Sequence, residues 1–206
     1  MPAKSPKIAP GLVAYVATGS GDLELLSVRA VDLLGKAQVV VADAGTAAVI
    51  NAYASETAQV TYAVDDSGAA LTPAARGRLV VDASKSGARV VRLLAGDVNL
   101  DAVVASEVPA INKAGLPFEI APAASSIFAT PAYAGFTLAG AGVRNVAILD
   151  TEAVADWSAY AGAETAIVLT NADSKLNAAA KALIAAGRDP QTPVAVIHHG
   201  TSVDHE

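Results

Sequence analysis

Val90-Val91-Arg92-Leu93-Leu94 runs straight into Ala95-Gly96-Asp97, and few other stretches narrow the possible folds as much. A near-continuous apolar run of strand length fits a strand covered on both faces, and ligands in open α/β sheets gather outside the carboxyl ends of such strands. Ala95 and Gly96 let a ligand approach the backbone closely, and Asp97 can accept hydrogen bonds from hydroxyl or amino groups. Alone, the pattern equally fits a strand followed by a plain Gly-Asp turn.

The rest of the chain supplies the context. Gly11 to Ala17 is a β-rich run that empties into Thr18-Gly19-Ser20-Gly21-Asp22, and a helical pattern built on Leu23, Leu25, Leu26, Val28, Val31, Leu33 and Leu34 follows. Gln38 to Asp43 predicts a second strand ending on an acid, and Thr57 to Tyr62 a third. Pro73 opens a helix that Ser86-Gly87 closes, with proline near the first turn where it is tolerated. After the Val90 strand, Asp101 to Ala114 reads as a helix stopped by Gly115, and Pro117 to Pro122 as an extended segment. Ser125 and Ser126 can cap a helix or bind a ligand. Strands at Val146–Leu149, Ala166–Leu169 and Val194–Ile197 and a helix over Leu176–Ala186 make a second, smaller α/β unit. Strands alternating with helices at this spacing predict a mostly parallel sheet. The expected organisation is two α/β domains, residues 8–122 and 123–206.

Composition limits the function. With 53% apolar and 17% charged residues among 206, the chain can bury proper cores. No run approaches the eighteen or so apolar residues of a membrane span, and the polar, Pro-rich start Met1 to Lys7 lacks the features of a secretory signal. Zero Cys agrees with a cytoplasmic protein and leaves only His and carboxylates as metal ligands. His198, His199 and His205 read as exposed strand-end and tail residues, so no metal site is expected. A net charge of −6 and 4% aromatics offer neither a basic stripe nor a stacking platform, which argues against nucleic-acid binding. Gly19-Ser20-Gly21 looks like a phosphate cradle, but it lacks the third glycine of the dinucleotide fingerprint and the Lys-Ser/Thr of a P-loop. A phosphate-binding oxidoreductase therefore has little support.

Four motifs in order resemble those of the tetrapyrrole methylases, most closely the uroporphyrinogen-III C-methyltransferase type. Ala17-Thr18-Gly19-Ser20-Gly21-Asp22-Leu23-Glu24-Leu25-Leu26-Ser27-Val28-Arg29-Ala30 stands where that family has Gly-x-Gly-Pro-Gly-Asp-Pro-x-Leu-Leu-Thr-x-Arg-Ala. Ala95-Gly96-Asp97-Val98 stands in place of Gly-Gly-Asp-Pro. Pro131-Ala132-Tyr133-Ala134-Gly135 is a verbatim match, and Gly187 to Val196 with Gly200-Thr201 is similar to the closing strand.

The resemblance implies two α/β domains with S-adenosylmethionine in the cleft between them, a homodimer, and methyl transfer to ring carbons of uroporphyrinogen III on the way to sirohaem or cobalamin. S-adenosylhomocysteine would be the product. It assigns the cofactor to Ser20, Ala95, Gly96, Asp97, Leu100, Ser125 and Ser126, with Asn171 and Ala195 from the second domain. Asp43 keeps the acid of the family's Tyr-Asp-x-Leu and is the candidate catalytic residue. Departures fall on functional positions. Val103 stands where the family carries a substrate Arg, Ser20 replaces a proline, and Asn171 replaces a Met. A Lys/Arg-rich segment is missing between Tyr62 and Thr72. If the tetrapyrrole carboxylates are held, Arg29, Arg92 and Arg144 are the candidates. The chain ends at Glu206, short of the family's last strands, so the second domain is expected to be truncated; fusions of such a methylase half to uroporphyrinogen-III synthase are known in the family. The competing expectation is an inactive methylase-like module that serves as a dimerisation or partner domain for such a synthase.

Overall fold

The structure, a computed structural model, describes residues 11–100, 102–140, 142–154, 156–172, 174–198 and 200–201. The tail Met1 to Lys7, Asp101, His199 and His205 lie outside these residues. Packing divides the chain into two units, Met1–Ser126 and Ile127–Glu206.

The first unit is built on five parallel strands, β1 (Val13–Ala17), β2 (Val39–Ala42), β3 (Gln59–Tyr62), β4 (Val90–Leu94) and β5 (Phe118–Ala121), in the order β3-β2-β4-β1-β5. All four pairings are parallel. Between the strands lie α1 (Val28–Gly35), α2 (Ala47–Tyr53), α3 (Pro73–Ser84) and α4 (Val103–Lys113).

Side-chain alternation sorts the core into two layers. Ala14, Val16, Val91 and Leu93 pack with Ala30, Leu33 and Leu34 of α1 and Val49 and Ile50 of α2. Val13, Tyr15, Val90 and Leu94 pack with Val80 of α3 and Ile111 of α4. Each residue of β1 and of β4 is buried, which is why both read as unbroken apolar runs.

The strand order places a topological switch point between β1 and β4. The chain leaves β1 toward β2 on one side and leaves β4 toward β5 on the other, so their adjacent carboxyl ends open a crevice. The Thr18–Gly21 and Ala95–Asp97 turns sit at that mouth.

Two local expectations are corrected, and one helix was not foreseen. The helix built on Leu23 to Leu34 is divided: Asp22 caps a 3-10 turn over Leu23–Leu25, Leu26 is extended, and Ser27 accepts from the Ala30 N–H at 3.2 Å to start α1. Two side-chain caps five residues apart, Asp22 and Ser27, impose two short elements where apolar spacing alone reads one. Helix α2 was not expected from its sequence, because Thr46 gives no side-chain cap and only Val49 and Ile50 carry its apolar face.

In the second unit, β6 (Asn145–Asp150) and β7 (Thr165–Thr170) pair in parallel over their whole length, with α6 (Leu176–Ala185) following. Helix α5 (Ser126–Tyr133) begins at the unit boundary. Val194–Ile197, expected as a strand, forms no ladder, and Val194 and Val196 are 69% and 53% exposed. A strand needs a partner for its N–H and C=O groups, and an apolar β-branched composition does not supply one.

Candidate functional site

The mouth of the switch point is held by hydrogen bonds between the two turns. Gly19 N–H donates to the Gly96 carbonyl at 2.9 Å, Thr18 N–H donates to the Leu94 carbonyl at 3.0 Å, and Gly96 N–H donates to the Thr18 hydroxyl at 3.1 Å. Thr18 is buried and was not singled out in the sequence. Only its place directly after a buried strand marks it.

Gly96 adopts φ +80°, and a Cβ built on it meets nothing within 4 Å. The glycine therefore serves the turn's left-handed backbone and leaves open space in front of it. Gly19, at φ +60°, is the opposite case: a Cβ there runs into the Ala124 carbonyl and Ala123.

Asp97 is engaged by the serines that follow β5. Its Oδ2 accepts from the Ser126 hydroxyl at 2.6 Å, the Ser126 N–H at 3.1 Å and the Ser125 hydroxyl at 3.2 Å. Its Oδ1 receives only the 3.3 Å contact from Ser126 N–H, which leaves acceptor capacity on that oxygen. The structure thus brings Ala95, Gly96, Asp97, Ser125 and Ser126 together, with Ser20 one residue beyond the Gly19 contact. The Ser20 hydroxyl has no partner among the described residues, and its oxygen is buried.

Leu100 is 43% exposed and lines an open groove of about 610 Å³ with Val98, Val104, Val108, Phe118 and Ile120. Among the described residues, no charged side chain lines it. Val103 begins α4 and packs against the apolar layer that contains Tyr15 and Ile111.

Beneath the turns lies a buried charge network. Arg92 is wholly buried in the middle of β4 and points into the α3/α4 layer. Its Nε donates to Glu107 Oε2 at 3.0 Å, and its Nη2 donates to both Glu107 Oε1 at 3.1 Å and Asp43 Oδ1 at 2.6 Å. Nη1 donates to the Leu93 carbonyl at 2.9 Å. Arg76 of α3 adds a second guanidinium to Glu107 Oε1 at 2.7 Å. Asp43 Oδ2 accepts from the Ala95 N–H at 3.2 Å. Burial alone would depress the Arg92 guanidinium, but the hydrogen bonds and charge of Glu107, followed by Asp43, outweigh it and hold the group above its ordinary value.

These contacts correct two expectations about the cations. Arg92 has no freedom to hold a substrate carboxylate, and Arg29 is paired with Glu119 at 2.5 Å. Arg144 is exposed and forms no ion pair among the described residues. Sequence reasoning missed Glu107. The available signal was an Arg inside a buried strand, which demands an acidic partner nearby.

Asn171 and Ala195 belong to the second unit. Asn171 has φ 54°, its carbonyl accepts from the Thr151 hydroxyl at 2.6 Å, and its side chain helps hold the Asp150 carboxyl below its ordinary value, after the larger effect of the Glu152 N–H. Ala195 is exposed in an irregular segment. Among the described residues, no group of three His, Cys, Asp or Glu could hold a metal ion, and no helix is long and apolar enough to cross a membrane.

The sequence matches the family Tetrapyrrole (Corrin/Porphyrin) Methylases over residues 12–206. The chain belongs to the tetrapyrrole methylase family. It is 30% identical to siroheme synthase 1 of Klebsiella pneumoniae subsp. pneumoniae, over 98% of this chain and 44% of that protein. It is 29% identical to the S-adenosyl-L-methionine-dependent uroporphyrinogen III methyltransferase of Methanosarcina barkeri, over 94% of this chain and 80% of that one. The chain thus spans less than half the length of the siroheme synthase. Among solved structures, a uroporphyrin-III C-methyltransferase from Thermus thermophilus complexed with S-adenosylhomocysteine is similar at a TM-score of 0.74 and 25% identity, over 94% of this chain and 80% of that chain. A cobalt precorrin-4 methyltransferase shares the fold at a TM-score of 0.83 and 23% identity, over 95% of this chain and 83% of that one. As a tetrapyrrole methylase the chain has the α/β architecture with a parallel sheet that these neighbours share.

Proposed function

We propose that this tetrapyrrole methylase binds S-adenosylmethionine at the Ala95–Gly96–Asp97 turn and passes its methyl group to a ring carbon of a uroporphyrinogen III-type tetrapyrrole. The observation that carries the reading is Gly96: left-handed, at the carboxyl end of a central strand, with nothing within 4 Å of a Cβ. A backbone so exposed at a switch point accepts a close ligand.

The residues present fit the cofactor. Asp97 Oδ1 keeps acceptor capacity for hydroxyl or amino groups, the Ala95 and Gly96 backbone allows approach, and Ser125 and Ser126 fix the Asp97 carboxylate. When bound, S-adenosylmethionine supplies an already activated methyl group. The protein then mainly has to align donor and acceptor, because orientation removes much of the entropic part of the barrier. The two turns are tied to each other and to the serines, which suits a rigid platform of that kind. Asp43 is turned onto Arg92 and the Ala95 N–H, so its role is to support the turn.

The second reading, a methylase-like domain with weak or absent turnover, is favoured by one observation. Val103 packs into the apolar layer, and among the described residues the neighbouring groove carries no cation for the substrate's carboxylates. Titration calorimetry with S-adenosylhomocysteine tests the binding reading, and absence of heat at millimolar ligand would sink it. Incubation with labelled S-adenosylmethionine and uroporphyrinogen III separates the two readings. Robust methylated product supports the enzyme, and binding without transfer supports the inactive domain.

A further inference from the structure

The Asp43 carboxylate does two jobs with its two oxygens: Oδ1 takes Arg92 Nη2 at 2.6 Å and Oδ2 takes the Ala95 N–H at 3.2 Å. Arg92 in turn is aimed by Glu107, which receives both Nε and Nη2. The nitrogen that reaches Asp43 is therefore the same one that reaches Glu107. Register explains the placement, because Arg92 sits between Tyr15 of β1 and Val41 of β2 on the α3/α4 face, directly under α4. Glu107 is itself wholly buried and braced from α3 by Arg76 at 2.7 Å. Close approach of the two helices allows this brace: a Cβ on Gly77 of α3 would come within 3.1 Å of Ala110 Cβ.

We infer that Glu107, acting through Arg92, is a positioning residue that holds Asp43 on the Ala95 N–H and so fixes the shape of the Ala95–Gly96–Asp97 turn. Two acids and two guanidinium groups balance in charge, and a buried pair of this kind is valued for its geometry more than its net stability. Every guanidinium nitrogen of Arg92 is engaged, so its orientation cannot change without breaking several bonds at once. A ligand approaching Gly96 meets a turn that is already in place.

Binding at the turn rests on the proposed cofactor role of Gly96, whereas the relay itself does not, and the experiment reads both. Hydrogen exchange at the Ala95 amide and the S-adenosylhomocysteine Kd are measured in wild type, Asp43→Asn, Glu107→Gln, Glu107→Asp, the Asp43→Asn/Glu107→Asp double variant and Val80→Ala. Asp43→Asn gives Arg92 its oxygen and turns an N–H₂ toward Ala95. Glu107→Asp keeps the charge and withdraws it by one methylene, so it tests the relay even where Glu107→Gln does not fold. Exchange at Ala95 should accelerate about tenfold or more in Asp43→Asn and in Glu107→Asp, and the double variant should add less than twofold to Asp43→Asn alone. The Kd should weaken in parallel. Val80→Ala lowers stability through the same core layer and should leave both readouts within twofold. The inference is overturned where Glu107→Asp leaves Ala95 exchange unchanged while Asp43→Asn accelerates it, where the two changes add fully, or where Val80→Ala moves both readouts as far. A wild type that binds no S-adenosylhomocysteine overturns the cofactor role and leaves the exchange result to decide the relay.

Discussion

Gly19 donates its N–H to the Gly96 carbonyl at 2.9 Å, so the turn after the first strand and the turn after the fourth are joined backbone to backbone. Both glycines adopt left-handed backbone, but their surroundings differ. Gly19 is packed against the Ala124 carbonyl and Ala123, while Gly96 faces open space. The pair separates a glycine held by packing from one that faces open space.

Gly19→Ala should therefore destabilise the fold. Its Cβ would meet backbone that cannot rotate aside, at a φ of +60° that alanine adopts at a cost. Strain and displacement together are expected to remove on the order of 2–4 kcal/mol. Urea denaturation reads the loss as a lower midpoint at unchanged slope, and an unchanged midpoint would contradict the packing described.

Gly96→Val should act on binding more than on the fold. Left-handed backbone costs a branched residue about 1–2 kcal/mol, yet among the described residues no atom lies within 4 Å of the new Cβ. The circular dichroism spectrum should stay that of the wild type while calorimetric binding of S-adenosylhomocysteine disappears. Retained binding at wild-type affinity would mean that the ligand does not approach Gly96.

Much of this site was legible in the sequence, because it depends on local rules. A buried parallel strand, a small-residue turn and an acid at its end are all contiguous, and the Val90–Asp97 stretch displays them without a fold. What was not legible is what comes together from a distance. Glu107 reads as a polar residue on a helix, and only the crossing of α4 over β4 shows that it lies 3.0 Å from Arg92. Likewise Val194–Ile197 has strand composition, and composition cannot show whether a neighbouring strand is there to pair with it. The β1–β4 switch point follows from strand order, which no single stretch encodes.

Val103→Arg tests whether the groove lacks a substrate contact. The position opens α4 beside a groove that no charged side chain lines among the described residues, and a long arginine can bury its stem while its head reaches water. A charge-assisted hydrogen bond to a tetrapyrrole carboxylate contributes about 1.5–3 kcal/mol, so affinity for uroporphyrinogen III should rise by roughly one to two orders of magnitude. Fluorescence titration of the porphyrin form reads the change, and methyl-transfer assays show whether turnover follows. An affinity equal to that of the wild type would place the carboxylates elsewhere.

Asp65 offers a pH-dependent check on the turn that follows β3. The Ser67 hydroxyl donates to Asp65 Oδ1 at 2.6 Å, and the Ser67 and Ala69 N–H groups donate at 2.9 and 3.0 Å. The side-chain bond first, then the two backbone bonds, hold this carboxyl below its ordinary value. A depressed folded value means the contribution is complete above the unfolded carboxylate range and is lost as pH falls through the folded one. Asp65→Asn should therefore be less stable than the wild type at neutral and alkaline pH, lack that acid-side slope, and converge on the wild type in acid. A wild-type acid limb in the variant would show that the turn's hydrogen bonds do not contribute.

Tyr15 provides a test with the opposite sign. Its side chain is wholly buried beside Arg92, its hydroxyl has no hydrogen-bond partner, and its ring meets Phe118 edge-on with centroids 6.3 Å apart. The ring accounts for its packing, so the oxygen is a buried polar atom left unpaired. Removing such an atom relieves a desolvation cost, and Tyr15→Phe should raise stability by about 1 kcal/mol at neutral pH. Burial first, and then the negative charge of Glu107, push the phenol well above its ordinary value. A raised folded value means the stability is intact below the unfolded tyrosine value near pH 10 and declines as pH climbs past it. The wild type should therefore lose stability in strong alkali, and the phenylalanine variant should lose less. Denaturation midpoints measured at pH 7 and pH 11 decide the matter: a variant less stable than the wild type at pH 7, with the same alkaline loss, would show that the Tyr15 hydroxyl has a stabilising partner after all.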